Sequence, residues 1–518
     1  MTATPEQWAL LRAPLGTTAV LDTTGADPAA DVSATLRAAG LEPVAGDREA
    51  AVYCALLLGN EALGCERPSP GLDRERVRRA AEAMARAGAG RLVLITDAAP
   101  EPHAGADPVR HARLAADRAW WQQLAVSFAP YGVVANTIVT GYAPFLGHRL
   151  PPARLKDTFR YQPHRHPTTP ADLVSALRLL TSRGCSYLVA ETLRIDGGAD
   201  LGLIPAIRAD TAGAVGRGGS VSGTAGTPAA AGAGGDTIGT PGGGAAEGAD
   251  VPPRDQDMAG STVLVVGASS GIGRAVALHL AERGADVVLA ARRLDELDAV
   301  ADEVAGFGRK AWTLRRDLAD PDAAASLPGD AWAAAGRIDA LAYAAGQLGL
   351  PSPAGGATAA RTTLSVNFLG FATVTDGLVR RWTDTGVPGA VAGVASVSAR
   401  FSPVAHLEYY GASKAAMMQY ARCLSVTHAR HGIRAGCVAP GIIDTPMGGA
   451  AGPEHRRGWI SRIPAGRVGL PHEVAVVVGH LLSPGAARLT GATPFVDGGF
   501  ALGDIAPLRL HTPNPEAP

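Results

Sequence analysis

The 518-residue sequence predicts an α/β protein built on two doubly wound parallel sheets, the N-terminal one shortened. Three observations predict it. Short apolar runs alternate with segments of helical period in both halves, the pattern of parallel strands joined by helices. A low-complexity segment separates the halves. Closely similar motifs recur about 300 residues apart, the signature of an internal duplication.

In the N-terminal half, residues 17–21, 51–58 and 91–96 predict strands, 109–129 a long helix and 133–139 another strand. This half closes on Thr192-Leu-Arg-Ile-Asp196-Gly-Gly. From Ala209 to Gln256 the chain is Gly, Ala, Thr, Ser and Pro with almost no large apolar residue. Such a segment cannot bury enough surface to offset its ordering entropy, so a disordered linker is expected. The C-terminal half predicts strands at 261–266, 285–290, 311–315, 340–344, 390–395, 434–438 and 493–496. Its predicted helices are 274–283, 410–430 and 472–482. It closes on Thr493-Pro-Phe-Val-Asp497-Gly-Gly. Tyr131-Gly-Val-Val-Ala-Asn mirrors His431-Gly-Ile-Arg-Ala-Gly, and Pro170-Ala-Asp mirrors Pro471-His-Glu. Between its first and mid-sheet strands the N-terminal half is about 40 residues shorter, the size of one strand–helix unit. The expected units are therefore 1–208, the linker 209–256, and 257–518.

Composition excludes several functions. With 47% hydrophobic and 18% charged residues, each half is large enough to bury its own core. A net charge of −1 without a basic patch argues against nucleic acid as a partner. Residues 1–11 lack a basic, then apolar, leader pattern, and no run of about 20 apolar residues predicts a membrane span. The five cysteines have neither metal-ligand nor disulfide spacing, so reduced thiols and a cytoplasmic location are expected.

The first C-terminal strand runs into Gly267-Ala-Ser269-Ser270-Gly271-Ile272-Gly273, which opens a helix. Glycines there permit a tight turn and close approach of a pyrophosphate to the backbone. The helix N-terminus adds free N–H groups and a favourable dipole, the arrangement of a Rossmann-like dinucleotide site. The second strand ends Ala290-Ala291-Arg292-Arg293. An acid at this point would bind unphosphorylated ribose. Two guanidinium groups instead favour a 2′-phosphate, hence NADP(H). Asp317 and Leu318, at the end of the third strand, fall near the adenine end.

Tyr410 and Lys414 lie one helical turn apart, on one face. An ammonium beside the phenol lowers the phenol's pKa and prepares it to exchange a proton with a carbonyl or alcohol oxygen. Ser396 can hydrogen-bond the same oxygen, and Asn367 can anchor a water that relays protons to Lys414. A Tyr-x-x-x-Lys pair is usually just an amphipathic helix. Here it follows the glycine turn, Asn367 and Ser396 in order and at sensible spacing.

On these residues the segment from about 260 to 503 resembles the short-chain dehydrogenase/reductase family. The resemblance implies Asn367, Ser396, Tyr410 and Lys414 as the catalytic set. It also implies that Ala345 and Gly346, Pro440 and Gly441, and Thr445 border the cofactor, the last three beside the nicotinamide. Three departures stand out. Tyr343-Ala-Ala-Gly346 replaces the family's Asn-Asn-Ala-Gly, Val266 replaces a Thr, and Ser396 lies 14 residues before Tyr410, one more than is common, so Ser398 stays an alternative. The layout of a degenerate copy before an intact one resembles the family's high-molecular-weight ketoacyl reductases. Family members usually dimerise through long helices, which implies an internal pseudo-dimer packing 109–129 by Leu114, Trp121 and Leu124 against the Tyr410 helix. A homodimer of the whole chain is open.

At the same offset the N-terminal half has Arg110 for Tyr410 and Leu114 for Lys414. Its first turn, Leu21-Asp-Thr-Thr-Gly25-Ala-Asp, carries two acids that repel phosphate. Neither cofactor binding nor catalysis is expected there. His164-Arg-His166 reads as a loop rather than a metal site, and Trp120-Trp121 as packing. Arg400, Phe401, His406, Leu407, Met447 and Trp459 fall where the family's substrate cleft lies. The expected function is NADPH-dependent reduction of a ketone, or oxidation of the matching secondary alcohol, with polyketide and acyl substrates both open. Epimerisation or dehydration on the same fold, and a cofactor-binding scaffold or sensor without turnover, are the alternatives.

Overall fold

The computed structural model describes residues 15–16, 18–22, 29–44, 50–58, 71–97, most of 108–198, 257–349, 356–401, 407–448 and 453–502. The predicted linker 209–256 lies outside the described residues. The chain forms two wholly parallel sheets with flanking helices.

The first sheet is built from β1 (Thr18–Asp22), α1 (Ala29–Ala38), β2 (Glu42–Val44), β3 (Val52–Leu57), α2 (Arg74–Arg86), β4 (Gly90–Asp97), α3 (Pro108–Phe128), β5 (Val133–Thr140), α4 (Pro170–Leu180) and β6 (Thr192–Ile195). Its strand order is β2-β1-β3-β4-β5-β6. Every residue of β3, β4 and β5 is buried, as expected for strands covered on both faces. The three-residue β2 carries Pro43 and holds the sheet edge, where a missing N–H costs least.

The second sheet comprises β7 (Thr262–Val266), α5 (Gly271–Glu282), β8 (Asp286–Ala291), α6 (Leu294–Ala305), β9 (Ala311–Arg315), α7 (Pro321–Ala335), β10 (Ala340–Tyr343), α8 (Gly356–Leu364), α9 (Gly370–Thr385), β11 (Gly389–Val394), α10 (Glu408–His428), β12 (Ile433–Pro440), α11 (Pro453–Ile460), α12 (Pro471–Leu482) and β13 (Phe495–Val496). Its order is β9-β8-β7-β10-β11-β12-β13. Chain direction across the sheet reverses between β7 and β10. The crevice at the strands' C-terminal ends there is where a doubly wound sheet binds its ligand.

The repeated motifs serve the same local ends in both halves. Gly132 (φ 77°) and Gly432 (φ 70°) are left-handed caps of matching 3₁₀ turns, Ala129–Tyr131 and Ala429–His431, that feed β5 and β12. Pro170 and Pro471 sit in the first turn of α4 and α12. Asp172 and Glu473 reach back to the backbone N–H of Thr169 and Leu470, at 2.8 Å each.

The halves join through these two helices. Leu173, Val174 and Leu177 of α4 share one hydrophobic core with Val474, Val477 and Leu481 of α12. Across the join, Ser186 Oγ donates to Glu473 Oε1 (2.5 Å) and the Phe495 N–H donates to Glu191 Oε2 (2.9 Å). This corrects the expectation that the 109–129 helix packs on the Tyr410 helix. Leu114, Trp121 and Leu124 are buried in the N-terminal half's own core, with Tyr53, Leu92 and Val133. A helix flanking a parallel sheet spends its apolar stripe on that sheet, so α3 had no second apolar face to offer.

Candidate active site

A cavity of about 620 Å³ opens above the β7–β10 crevice. At one end lies the 267–273 turn, where β7 stops and α5 begins. Gly267 has φ +84°. A Cβ on Gly273 would land on the Gly267 carbonyl oxygen, so only glycine lets α5 start this close to the turn. Ser270 is the N-cap of α5 but makes no side-chain cap bond, which leaves the first-turn N–H groups facing the cleft. Ser269, Ser270, Gly271 and Ile272 line the cavity with them.

Arg292, Arg293, Asp317 and Leu318 wall the same end, joined by Arg316, which the sequence reading missed. Arg293 donates to Ser269 Oγ (3.1 Å) and Ser270 Oγ (3.0 Å) and pairs with Glu296 at 3.0 Å. Arg292 makes no hydrogen bond or ion pair among the described residues. Ala345, Gly346, Pro440, Gly441 and Thr445 line the middle of the cavity.

Ser396, Tyr410 and Lys414 meet at the cavity's centre. β11 ends just before Ser396, and α10 carries Tyr410 and Lys414 back over it. A glycine in the first turn of a long helix costs about 1 kcal/mol against alanine. Gly411 is there because a Cβ would stand 2.7 Å from the Ser398 carbonyl oxygen, so it lets α10 close on the serine turn. That glycine was the signal in the sequence for this close approach. Ser396 is buried, accepts from the Ser398 N–H (3.1 Å), and shares the cavity wall with Tyr410.

The electrostatics differ from expectation. Burial pushes the Tyr410 phenol up from its ordinary value, and the Ser396 hydroxyl opposes this. Lys414 does not lower it. The lysine is itself buried and drawn down to about 8, with Cys437 opposing weakly. Its Nζ donates to the Val394 carbonyl (2.7 Å) and stands 5.8 Å from the centre of the Tyr410 ring. Desolvation outweighs the ammonium's attraction at that separation.

Asn367 is fully buried behind the cavity wall, on a single π-helical turn, Ser365–Leu369, between α8 and α9. Its amide donates to Gln347 O and Ser413 Oγ, both at 3.0 Å, and its carbonyl accepts from the Gln347 N–H (2.9 Å). A Cβ on Gly346 would stand 3.4 Å from both Asn367 Oδ1 and Lys414 Nζ, so the two flank one glycine. Tyr343, the departure from the family pattern, supports this turn. Its hydroxyl donates to the Val366 carbonyl at 2.6 Å, and its ring packs edge-on against Phe371.

Of the proposed substrate-cleft residues, Leu407, Met447 and Trp459 line the cavity, as do Leu348 and Ile442. Arg400 and Phe401 do not. Arg400 stacks over Phe495, and Phe401 packs against Phe500. His406 and His164 lie outside the described residues. His166 is exposed, and its carbonyl accepts from Arg488.

The chain is 34% identical over 255 residues to a glucose 1-dehydrogenase of Gluconobacter oxydans, a match covering 48% of this chain and 95% of that protein. The chain belongs to the short-chain dehydrogenase/reductase family. Residues 267–501 match the family model described as enoyl-(acyl carrier protein) reductase. A 3beta-hydroxysteroid dehydrogenase of Eggerthella lenta is 32% identical over 251 residues, covering 48% of this chain and 95% of its own. A solved structure of a short-chain type dehydrogenase/reductase from Mycobacterium marinum is 32% identical and covers 47% of this chain and 96% of its own, with a TM-score of 0.45. Membership thus rests on the half that carries the cavity.

The cavity suits the family's nicotinamide cofactor. A glycine cradle and free helix N–H groups stand at one end, three arginines lie beside them, and a tyrosine and a serine line the same cavity.

Proposed function

We propose that the C-terminal unit, 257–518, is an NADP(H)-dependent oxidoreductase that reduces a ketone with an apolar body or oxidises the matching secondary alcohol. The single observation that carries this reading is one cavity lined by Arg292, the glycine turn, Ser396, Tyr410 and Lys414 together. The bound nicotinamide supplies or accepts the hydride. Tyr410 delivers a proton to the carbonyl oxygen, and its raised pKa keeps the phenol protonated at neutral pH, ready to donate. Ser396 orients that oxygen. Ser396, not Ser398, is the hydroxyl that acts on the Tyr410 phenol, which favours it for the role. Lys414 exchanges a proton behind the tyrosine, and Asn367 braces the wall next to it through Gln347 and Ser413. Leu348, Leu407, Met447 and Trp459 favour an apolar substrate body over a sugar. The N-terminal unit, 1–208, we read as a degenerate copy without catalysis, joined by 209–256.

Arg292 carries the cofactor preference. A charge-assisted bond to a 2′-phosphate is worth about 1.5–3 kcal/mol, roughly 10–100-fold in affinity. Arg292→Ala should weaken NADPH binding by that factor and leave NADH nearly unchanged, read by fluorescence titration with each cofactor. Equal losses for both would contradict the preference. Oxidation of NADPH across a panel of apolar ketones and sugars tests the reaction itself.

Lys414 gives a pH test. Its pKa is about 8 in the folded chain against an ordinary 10.5, so the unfolded chain binds this proton more readily. The buried charge therefore destabilises the fold in full below pH 8, and the cost fades as pH rises to 10.5. Lys414→Met should slow turnover yet stabilise the cofactor-free chain below pH 8 by on the order of 3 kcal/mol. Thermal unfolding from pH 6 to 11 should show that gain shrinking above pH 8. A gain independent of pH would contradict it.

A further inference from the structure

The two halves exchange one side chain each, from matching positions. Tyr187 and Arg488 lie 301 residues apart, and so do Gly197 and Gly498. Tyr187 of the N-terminal half is fully buried in a notch of the C-terminal half. A Cβ on Gly498 or on Gly469 would stand 2.5 Å from its ring. Arg488 of the C-terminal half is buried in the corresponding notch of the N-terminal half, where a Cβ on Gly197 would stand 2.6 Å from its guanidinium carbon. The join is thus isologous in form, like a two-fold dimer interface within one chain.

The two notches have different neighbours. Arg488 donates to the His166 carbonyl (2.6 Å), and Asp172 and Asp196 lie near its charge. Tyr187 abuts the cofactor cavity from behind. Gly469, under its ring, pairs with the segment 442–444: the Gly469 N–H donates to Ile442 O (2.9 Å) and the Asp444 N–H to Gly469 O (2.8 Å). Ile442, Ile443 and Thr445 form the cavity wall. The Tyr187 hydroxyl lies 3.3 Å from the Arg467 carbonyl oxygen and 3.5 Å from that of Ile442, and the Arg467 guanidinium covers the ring at 5.1 Å.

We propose that Tyr187 is a positioning residue for cofactor binding: the non-catalytic half sets the 442–445 wall of the catalytic half's cavity by wedging this ring behind it. The proposal rests on the reading of that cavity as the NADP(H) site. Neither Arg488 nor Gly197 lines the cavity, so the reciprocal position provides the control.

The test uses the full-length chain, with NADPH as probe in fluorescence titration and steady-state kinetics. Tyr187→Leu leaves the notch partly empty and should raise the NADPH Kd and KM about tenfold, with kcat at saturating NADPH within about twofold. Arg488→Met loosens the same join from the other side and should leave the NADPH Kd within about twofold. Should the leucine variant not fold, Tyr187→Phe, which keeps the ring and loses the hydroxyl, should weaken NADPH about two- to threefold. Wild-type affinity in Tyr187→Leu, or in the phenylalanine variant where it stands in, overturns the proposal. So does an equal loss in Arg488→Met, which would mark a general loosening. Wild-type chain that binds neither NADPH nor NADH overturns the cofactor reading itself.

Discussion

Tyr410→Phe is expected to lower kcat by about a hundred- to ten-thousandfold while NADPH affinity stays near wild type. The substitution removes one hydroxyl. The ring, the packing of α10 and the Val394 contact of Lys414 remain. The lost hydroxyl belongs to a side chain that lines the cavity together with Ser396 and Lys414. Reduction without it leaves the developing alkoxide to take its proton from water, and Ser396 alone cannot replace the donor. The measurement is NADPH oxidation under saturating ketone, with the cofactor Kd determined in parallel. Wild-type turnover would move the acid to another residue. A matching loss of cofactor affinity would make Tyr410 a binding group instead.

The second large effect lies at the other end of the cavity. Gly273→Ala should abolish measurable NADPH binding, a loss of at least about a hundredfold, because the new methyl group collides with the Gly267 carbonyl. Neither neighbour can yield. Gly267 is fixed by its N–H bond to Ala290 O (2.7 Å), and α5 is anchored to α12, against which it packs. Either α5 moves off the turn or the turn opens, and both displace the N–H groups that hold a pyrophosphate. Stability should fall by about 1–3 kcal/mol, so thermal unfolding should still show a folded chain. NADPH binding retained within a few-fold would mean the turn does not carry the phosphates.

Much of this was legible in the sequence, and the residues show why. The parallel strands announced themselves as apolar runs because both sheet faces are covered, as in Val263–Val266. The glycine turn and the Tyr410–Lys414 spacing are local, and local geometry can be read from spacing. What lay hidden was set by distant contacts. The direction of the Tyr410 pKa depends on how deeply α10 is buried, which no spacing reports. Tyr343 looked like the loss of a supporting amide, yet its hydroxyl reaches Val366 and props the π-turn under Asn367 from 23 residues away. The join between halves was sought at the long helices for their length and apolar content. Trp121 and Leu124 turned out to be spent inside their own domain, and the join formed at the repeated Pro170 and Pro471 helices.

The central claim is that two related sheets in one chain carry a single working cofactor site, in the C-terminal half. Calorimetric titration of the full-length chain with NADPH tests it most directly. The account predicts one NADPH bound per chain in the wild type and none in Gly273→Ala. Two NADPH per chain would place a second working site in the N-terminal half, and one that survives Gly273→Ala would take binding away from the glycine turn; either result would contradict it.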